Sequence, residues 1–206
     1  MSARMAPTFL KGEVLMRGIT LLVCLVLSLG APALAEHHEG EGSMYLAELA
    51  GNFEFVSGRL VQLAEAMPEE LFTWRPAEGV RSTSETLMHV AGANLGLPVM
   101  LGVAPPEGMD TSEDMMAKMQ EMEKNITAKA DVIARLQKSM AYGKSALGDY
   151  PAANLGDEVE FFGMKMTKGG VLLILLSHSH EHLGQLIAYA RSNGVTPPWS
   201  QPQEEE

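Results

Sequence analysis

Cysteine is nearly absent: the 206-residue chain has one, Cys24, and it lies in a stretch with the marks of an export signal. Arg17 supplies a basic start, Ile19 to Leu29 is an apolar run, and Ala33-Leu34-Ala35 is a small-x-small cleavage site. Residues 1–35 are therefore expected to leave as a signal peptide, with Met16 an alternative start of translation. The product beginning at Glu36 would have no thiol, which excludes a disulfide, cysteine-ligated zinc and a cysteine nucleophile. Lipidation at Cys24 does not fit either, because Leu21-Leu22-Val23 lacks the small residue expected just before a lipidated cysteine.

Positive charge is also scarce. Fifteen Lys and Arg stand against 26 Asp and Glu, a formal net charge of −11. The signal holds Arg4, Lys11 and Arg17 against Glu13, so its removal shifts the balance from −11 by two further negative charges. Such a chain repels nucleic acid and anionic lipid. Long apolar runs are missing as well, and Ile19–Leu29 is too short to span a bilayer comfortably. The expectation is an exported protein, periplasmic or extracellular, with no stable membrane anchor once the signal is cleaved. Residues 36–43 read as a disordered acidic linker, 44–198 as one domain, and 199–206 as an acidic tail.

Helical periodicity runs through that domain. From Ser43 to Ala66, Tyr45, Leu46, Leu49, Phe53, Val56, Leu60, Leu63 and Ala64 recur every three or four residues. Pro68 ends this helix, and Leu71, Phe72 and Trp74 are expected to plug one end of the core. Ser82 and Glu85 form a capping box for a second helix, which carries His89 among Leu87, Met88 and Val90. Gly96 and Pro98 loosen its end, and Gly102 to Asp110 is a loop by composition.

Thr111 and Asp114 are expected to cap a short helix whose Met115, Met116, Met119 and Met122 fit ordinary apolar contact better than soft-metal ligation. A third long helix spans about Thr127 to Leu147, burying Ala130, Ile133, Ala134, Leu136 and Met140. Val159 to Met166 is a short extended or hairpin segment. Thr167 then caps a last helix that Gly194, Pro197 and Pro198 stop. The whole reads as an all-α four-helix bundle with a long connection from helix 2 to helix 3. The bundle is free to form a homodimer, although no apolar stripe marks the face.

The last helix carries the chemistry. His178 and His182 are four residues apart, so at ~100° per residue their imidazoles differ by only ~40° and can reach one metal ion. His89 is the third candidate, pointing inward from the second helix. Taken alone, such a histidine is more often a satisfied core residue than a ligand, whereas an internal hydrogen-bonded cluster is the lesser reading of the His178–His182 pair. Three protein ligands plus open positions are what a hydrolytic or Lewis-acid centre needs. His180, rotated by ~200° from His178, points away. Glu181 approaches the edge of the site and is the candidate general base, and Gln185 is placed to hold a ligand imidazole. A zinc-protease helix is excluded, because Ser179 follows His178 where a glutamate is required.

Trp74, the run Ser82 to Val90, and His178-x-x-x-His182-x-Gly184-Gln185 followed by Tyr189-Ala190-Arg191 together resemble the DinB-like family of metal-binding four-helix bundles. The resemblance covers nearly the whole of residues 36–206. It implies that His89, His178 and His182 bind one divalent metal, for which three imidazoles suit zinc or nickel. It also implies metal-dependent transferase or isomerase chemistry on a low-molecular-weight thiol. The reading is a metal-dependent transferase or hydrolase acting on a small molecule, against a non-catalytic metal-binding envelope protein.

Overall fold

The computed structural model describes residues 13–201, with side chains from residue 40 onward. Residues 1–42 and 43–206 form two compact units. In the first, the backbone of residues 13–42 is helical, as part of α1 (Glu13–Ala66), whose last turns belong to the second unit. Helix α1 thus starts well before the expected Ser43. The leucines and alanines of residues 21–35 are good helix formers, which suits a helical backbone there. The first twelve residues of the expected signal, the side chains of residues 13–39 and residues 202–206 of the expected tail lie outside the described residues. Among the described residues no helix is long and apolar enough to cross a membrane.

The second unit is the expected bundle. After α1 come α2 (Thr83–Met100), α3 (Met115–Asn125), α4 (Lys129–Gly148) and α5 (Lys168–Ser192), with a hairpin of β1 (Glu158–Phe161) and β2 (Met164–Thr167) before the last helix. The long helices α1, α2, α4 and α5 make the bundle, and α3 lies within the connection from α2 to α4. Strands β1 and β2 are antiparallel with Phe161 opposite Met164, so Phe162 and Gly163 form a two-residue turn. The backbone N–H of Lys168 donates to Asp157 and that of Gly169 to Leu155, tying the hairpin to the start of α5.

Local chemistry sets the helix starts. Ser82 accepts from the Glu85 N–H while the Glu85 carboxylate accepts from the Ser82 N–H, a complete capping box. Thr167 accepts from the Gly170 N–H at the start of α5. The short helix α3 is different. Asp114 makes no side-chain cap, and Asp110 instead accepts from the Ser112 N–H and from Lys118. The expected Thr111 and Asp114 caps are replaced by an Asx-type turn one step earlier.

Leu46, Leu49, Phe53, Val56, Leu60 and Leu63 of α1 are buried as the periodicity requires. Each such side chain contributes roughly 1.5–3 kcal/mol when fully buried. Phe72 is fully buried, and Trp74 packs edge-on against Tyr189 with centroids 5.4 Å apart. The expected face of α4 is corrected. Leu136 and Met140 are buried and Ile133 half-buried as expected, but Ala130 and Ala134 are exposed, and the buried stripe also takes in Val132, Ser139, Gly143, Ala146 and Leu147. A serine and a glycine on that stripe disguise it in the sequence. The core also reaches beyond Pro198, since Trp199 packs against its fringe and lies 4.7 Å from the Arg59 guanidinium.

Gly143 of α4 lies directly against Phe53 of α1: a β-carbon there would lie 2.9 Å from Cζ of Phe53. Because Phe53 is fully buried, it cannot swing into solvent. Gly143→Val is therefore expected to lower stability by about 2 kcal/mol, as overpacked cores do, read from the urea midpoint.

Candidate metal centre

Two bundle helices bring the three histidines together. His89 projects from the middle of α2, and His178 and His182 from successive turns of α5, which packs against α2. Nε2 of His178 lies 3.1 Å from Nε2 of His89 and 3.1 Å from Nε2 of His182. One nitrogen from each ring falls within 4.8 Å of the others. His182 is buried and the other two are half-buried.

Partners on the far side of two rings decide where their protons sit. Nδ1 of His182 is 2.8 Å from Oε1 of Gln185, and an amide oxygen only accepts, so Nδ1 carries the proton. The Gln185 amide N–H donates to the Tyr189 hydroxyl at 2.6 Å, and that hydroxyl donates to the backbone carbonyl of Arg81 at 3.1 Å. Nδ1 of His89 likewise donates to the Glu123 carboxylate at 3.1 Å. The other oxygen of Glu123 accepts from Nε of Arg81. In their neutral forms, His89 and His182 then each turn an Nε2 lone pair toward Nε2 of His178.

The His178 imidazole is held in its neutral form. Burial lowers the His178 pKa to about 4, with the neighbouring imidazoles of His182 and His89 and the Arg81 charge adding to it. The His89 pKa is lowered by burial and by Arg81, partly offset by the Glu123 charge. Three converging nitrogens thus hold two fixed lone pairs and at most one proton among them. Such a set suits a cation: imidazole nitrogens are ligands for zinc, nickel and similar ions, and each fixed Nδ1–H is the outer bond that orients such ligands. Nδ1 of His178 is buried without a partner among the described residues, where this ring has no outer hydrogen bond to orient it.

Gln185 lies where the sequence spacing placed it, against His182. Glu181 is exposed and makes no hydrogen bond or ion pair to the histidines among the described residues. His180 points away as expected, its Nδ1 3.2 Å from the Leu176 carbonyl. The carboxylate at the site is Glu123, on α3, which sequence reading missed. Its only advance signal was a helical position three to four residues beyond Met119 and Gln120 on a polar helix. Arg81, just ahead of the Ser82 cap, was missed as well.

A model of the DinB superfamily matches residues 52–186, which contain the three histidines with Arg81, Glu123 and Gln185. The chain belongs to the DinB superfamily. Its fold is similar to a DinB-like protein from Bacillus cereus ATCC 10987, at 18% identity and a TM-score of 0.56, covering 73% of this chain and 93% of that one. A DinB-like protein from Bacillus subtilis is similar at 20% identity and a TM-score of 0.56, covering 76% of this chain and 99% of the other. No curated protein matches the chain. In this DinB-superfamily chain, the three neighbouring histidines could hold a metal ion.

Replacing the outer acceptors should weaken a metal without removing it. Glu123→Gln and Gln185→Ala are each expected to lower zinc affinity by about 10–100-fold, as loss of an orienting partner typically does. Glu181→Gln should leave it unchanged. Competition with a chromophoric chelator reads all three.

Proposed function

We propose that the protein is an exported member of the superfamily that binds one divalent metal ion, zinc or nickel, through His89, His178 and His182. It acts on a small molecule as a metal-dependent transferase or hydrolase. The observation that carries this reading is the convergence of three imidazole nitrogens, with two of the rings oriented by Glu123 and Gln185. Export rests on the sequence pattern of residues 17–35.

A divalent ion held there would supply Lewis acidity to a water or thiol. The protein's own groups do the positioning. Glu123 and Gln185 hold the protons on Nδ1 of His89 and His182, which keeps both Nε2 atoms free to ligate. Arg81 fixes the Glu123 carboxylate through its side chain and accepts from Tyr189 through its backbone, so a single residue anchors both outer bonds. The acidic surface argues against nucleic-acid substrates.

A second reading, metal binding without catalysis, draws on one observation. The carboxylate at the cluster, Glu123, is engaged at both oxygens, and so is not a free base. The cobalt-loaded protein separates the two: a visible spectrum that shifts on adding azide or a simple thiol means an open coordination position, and one that does not shift means a closed site.

Elemental analysis of protein purified without chelators, beside a His182→Ala variant, tests the shared premise. About one equivalent of metal is expected in the parent and a near-complete loss in the variant. A folded parent that holds no metal and takes up none on addition would overturn both readings.

A further inference from the structure

Next to the histidines lies a cleft of about 270 Å³ bounded by α2, α3, the hairpin and α5. His89 and His178 stand in its wall, with Arg81, Gln120 and Glu123 at the same polar side. Most of the remaining lining is thioether and aromatic: Met88, Met100, Met116, Met119, Phe161 and Phe162. Three of these are conspicuously exposed, Met100 at 41%, Met116 at 44% and Phe162 at 67%. Apolar side chains gathered around an open cleft, rather than scattered singly, mark a surface that a ligand covers.

Phe162 adds an independent observation. Among the described residues it is the one non-glycine residue with positive φ, 47°, followed by Gly163 at 79°. Two successive positive φ angles in a two-residue hairpin turn are the pattern that favours Asn-Gly. A phenylalanine there is disfavoured by its own backbone and also leaves its ring in solvent. Neither the turn nor the core benefits from the ring, which rests edge-on against Phe161 at 4.5 Å on the cleft wall. Strained residues of this kind persist where a function holds them.

We propose that this cleft selects the ligand of the histidine centre: a small molecule with a compact apolar body, aromatic or branched aliphatic, joined to a metal-binding head, with Phe162 as the specificity-determining outer wall. The inference rests on metal binding by His89, His178 and His182. Methionines suit such a wall, because their flexible, polarizable chains adapt to different apolar shapes. The volume admits a single ring with a short substituent but not a peptide or a nucleotide.

The test compares two hydroxamic acids that share a metal-binding head, acetohydroxamic and benzohydroxamic acid, titrated by calorimetry into zinc-loaded protein. The parent should bind the benzo compound roughly tenfold or more tightly than the aceto compound, as burial of a ring implies. Phe162→Asn, which the turn favours, and Met116→Gln, at an exposed position, should each reduce that ratio severalfold, with zinc content and acetohydroxamate affinity unchanged. Equal affinities in the parent, or a ratio that both variants leave as it was, would overturn the cleft assignment with the metal site intact. Failure to take up zinc at all would overturn the metal reading, and this proposal with it.

Discussion

Three imidazole nitrogens facing one another across a half-buried gap are the constraint on which the rest of this bundle depends. Without a cation, Nε2 of His89 and Nε2 of His182 both face Nε2 of His178 at 3.1 Å, and that nitrogen has at most one proton to offer the two of them. Charging the rings is no remedy, since burial and mutual repulsion oppose it at His178 and His89. The arrangement is held from outside instead. Glu123 and Gln185 fix two rings, Arg81 and Tyr189 fix those acceptors, and Arg81 sits one residue ahead of the capping box that starts α2. A helix start, an ion pair and a hydrogen-bond relay thus converge on one short segment, residues 81–82.

Much of this could be read in the sequence where the signal is local. The four-residue spacing of His178 and His182, the Ser82–Glu85 box and the Thr167 cap each depend on residues within one or two turns, and the structure bears all three out. Gln185 follows from the same helical arithmetic. His89 needed more, because its inward direction alone could not distinguish a ligand from a core histidine. The resemblance supplied that distinction, and the 3.1 Å approach to His178 now supports it.

What was illegible is non-local. Glu123 is 34 residues from His89, on a helix joined by a loop whose path no periodicity dictates. Glu181 is nearer in sequence yet directed to solvent, so chain proximity pointed to the wrong carboxylate for contact with the rings. The buried face of α4 was read only in part, Leu136 and Met140 but not the rest, because Ser139 and Gly143 occupy core positions. Ser139 is tolerated there by donating to the Leu136 carbonyl and accepting from Asn94, and Gly143 is required by the Phe53 ring. Polar or small residues chosen for one contact erase a hydrophobic stripe without weakening the helix that bears it.

Helix α3 links these observations. None of its residues is fully buried, although Met122 packs against the core, so packing holds it less firmly than the long helices. Its seat on α2 is made by Met119, which lies over Gly92 and Gly96 within 3.8 and 3.5 Å of where their β-carbons would stand. One turn on, Glu123 reaches His89 and Arg81, and one turn back, Met116 lines the cleft. The acceptor that orients a ligand imidazole and the wall that would receive an apolar ligand therefore ride on the same marginal element. A ligand covering Met116 and Met119 would bury surface that α3 now exposes, and in doing so would hold Glu123 against His89. Metal and ligand then favour the same position of α3, so each is expected to strengthen the other's binding, a coupling that needs no conformational change beyond the ordering of one short helix.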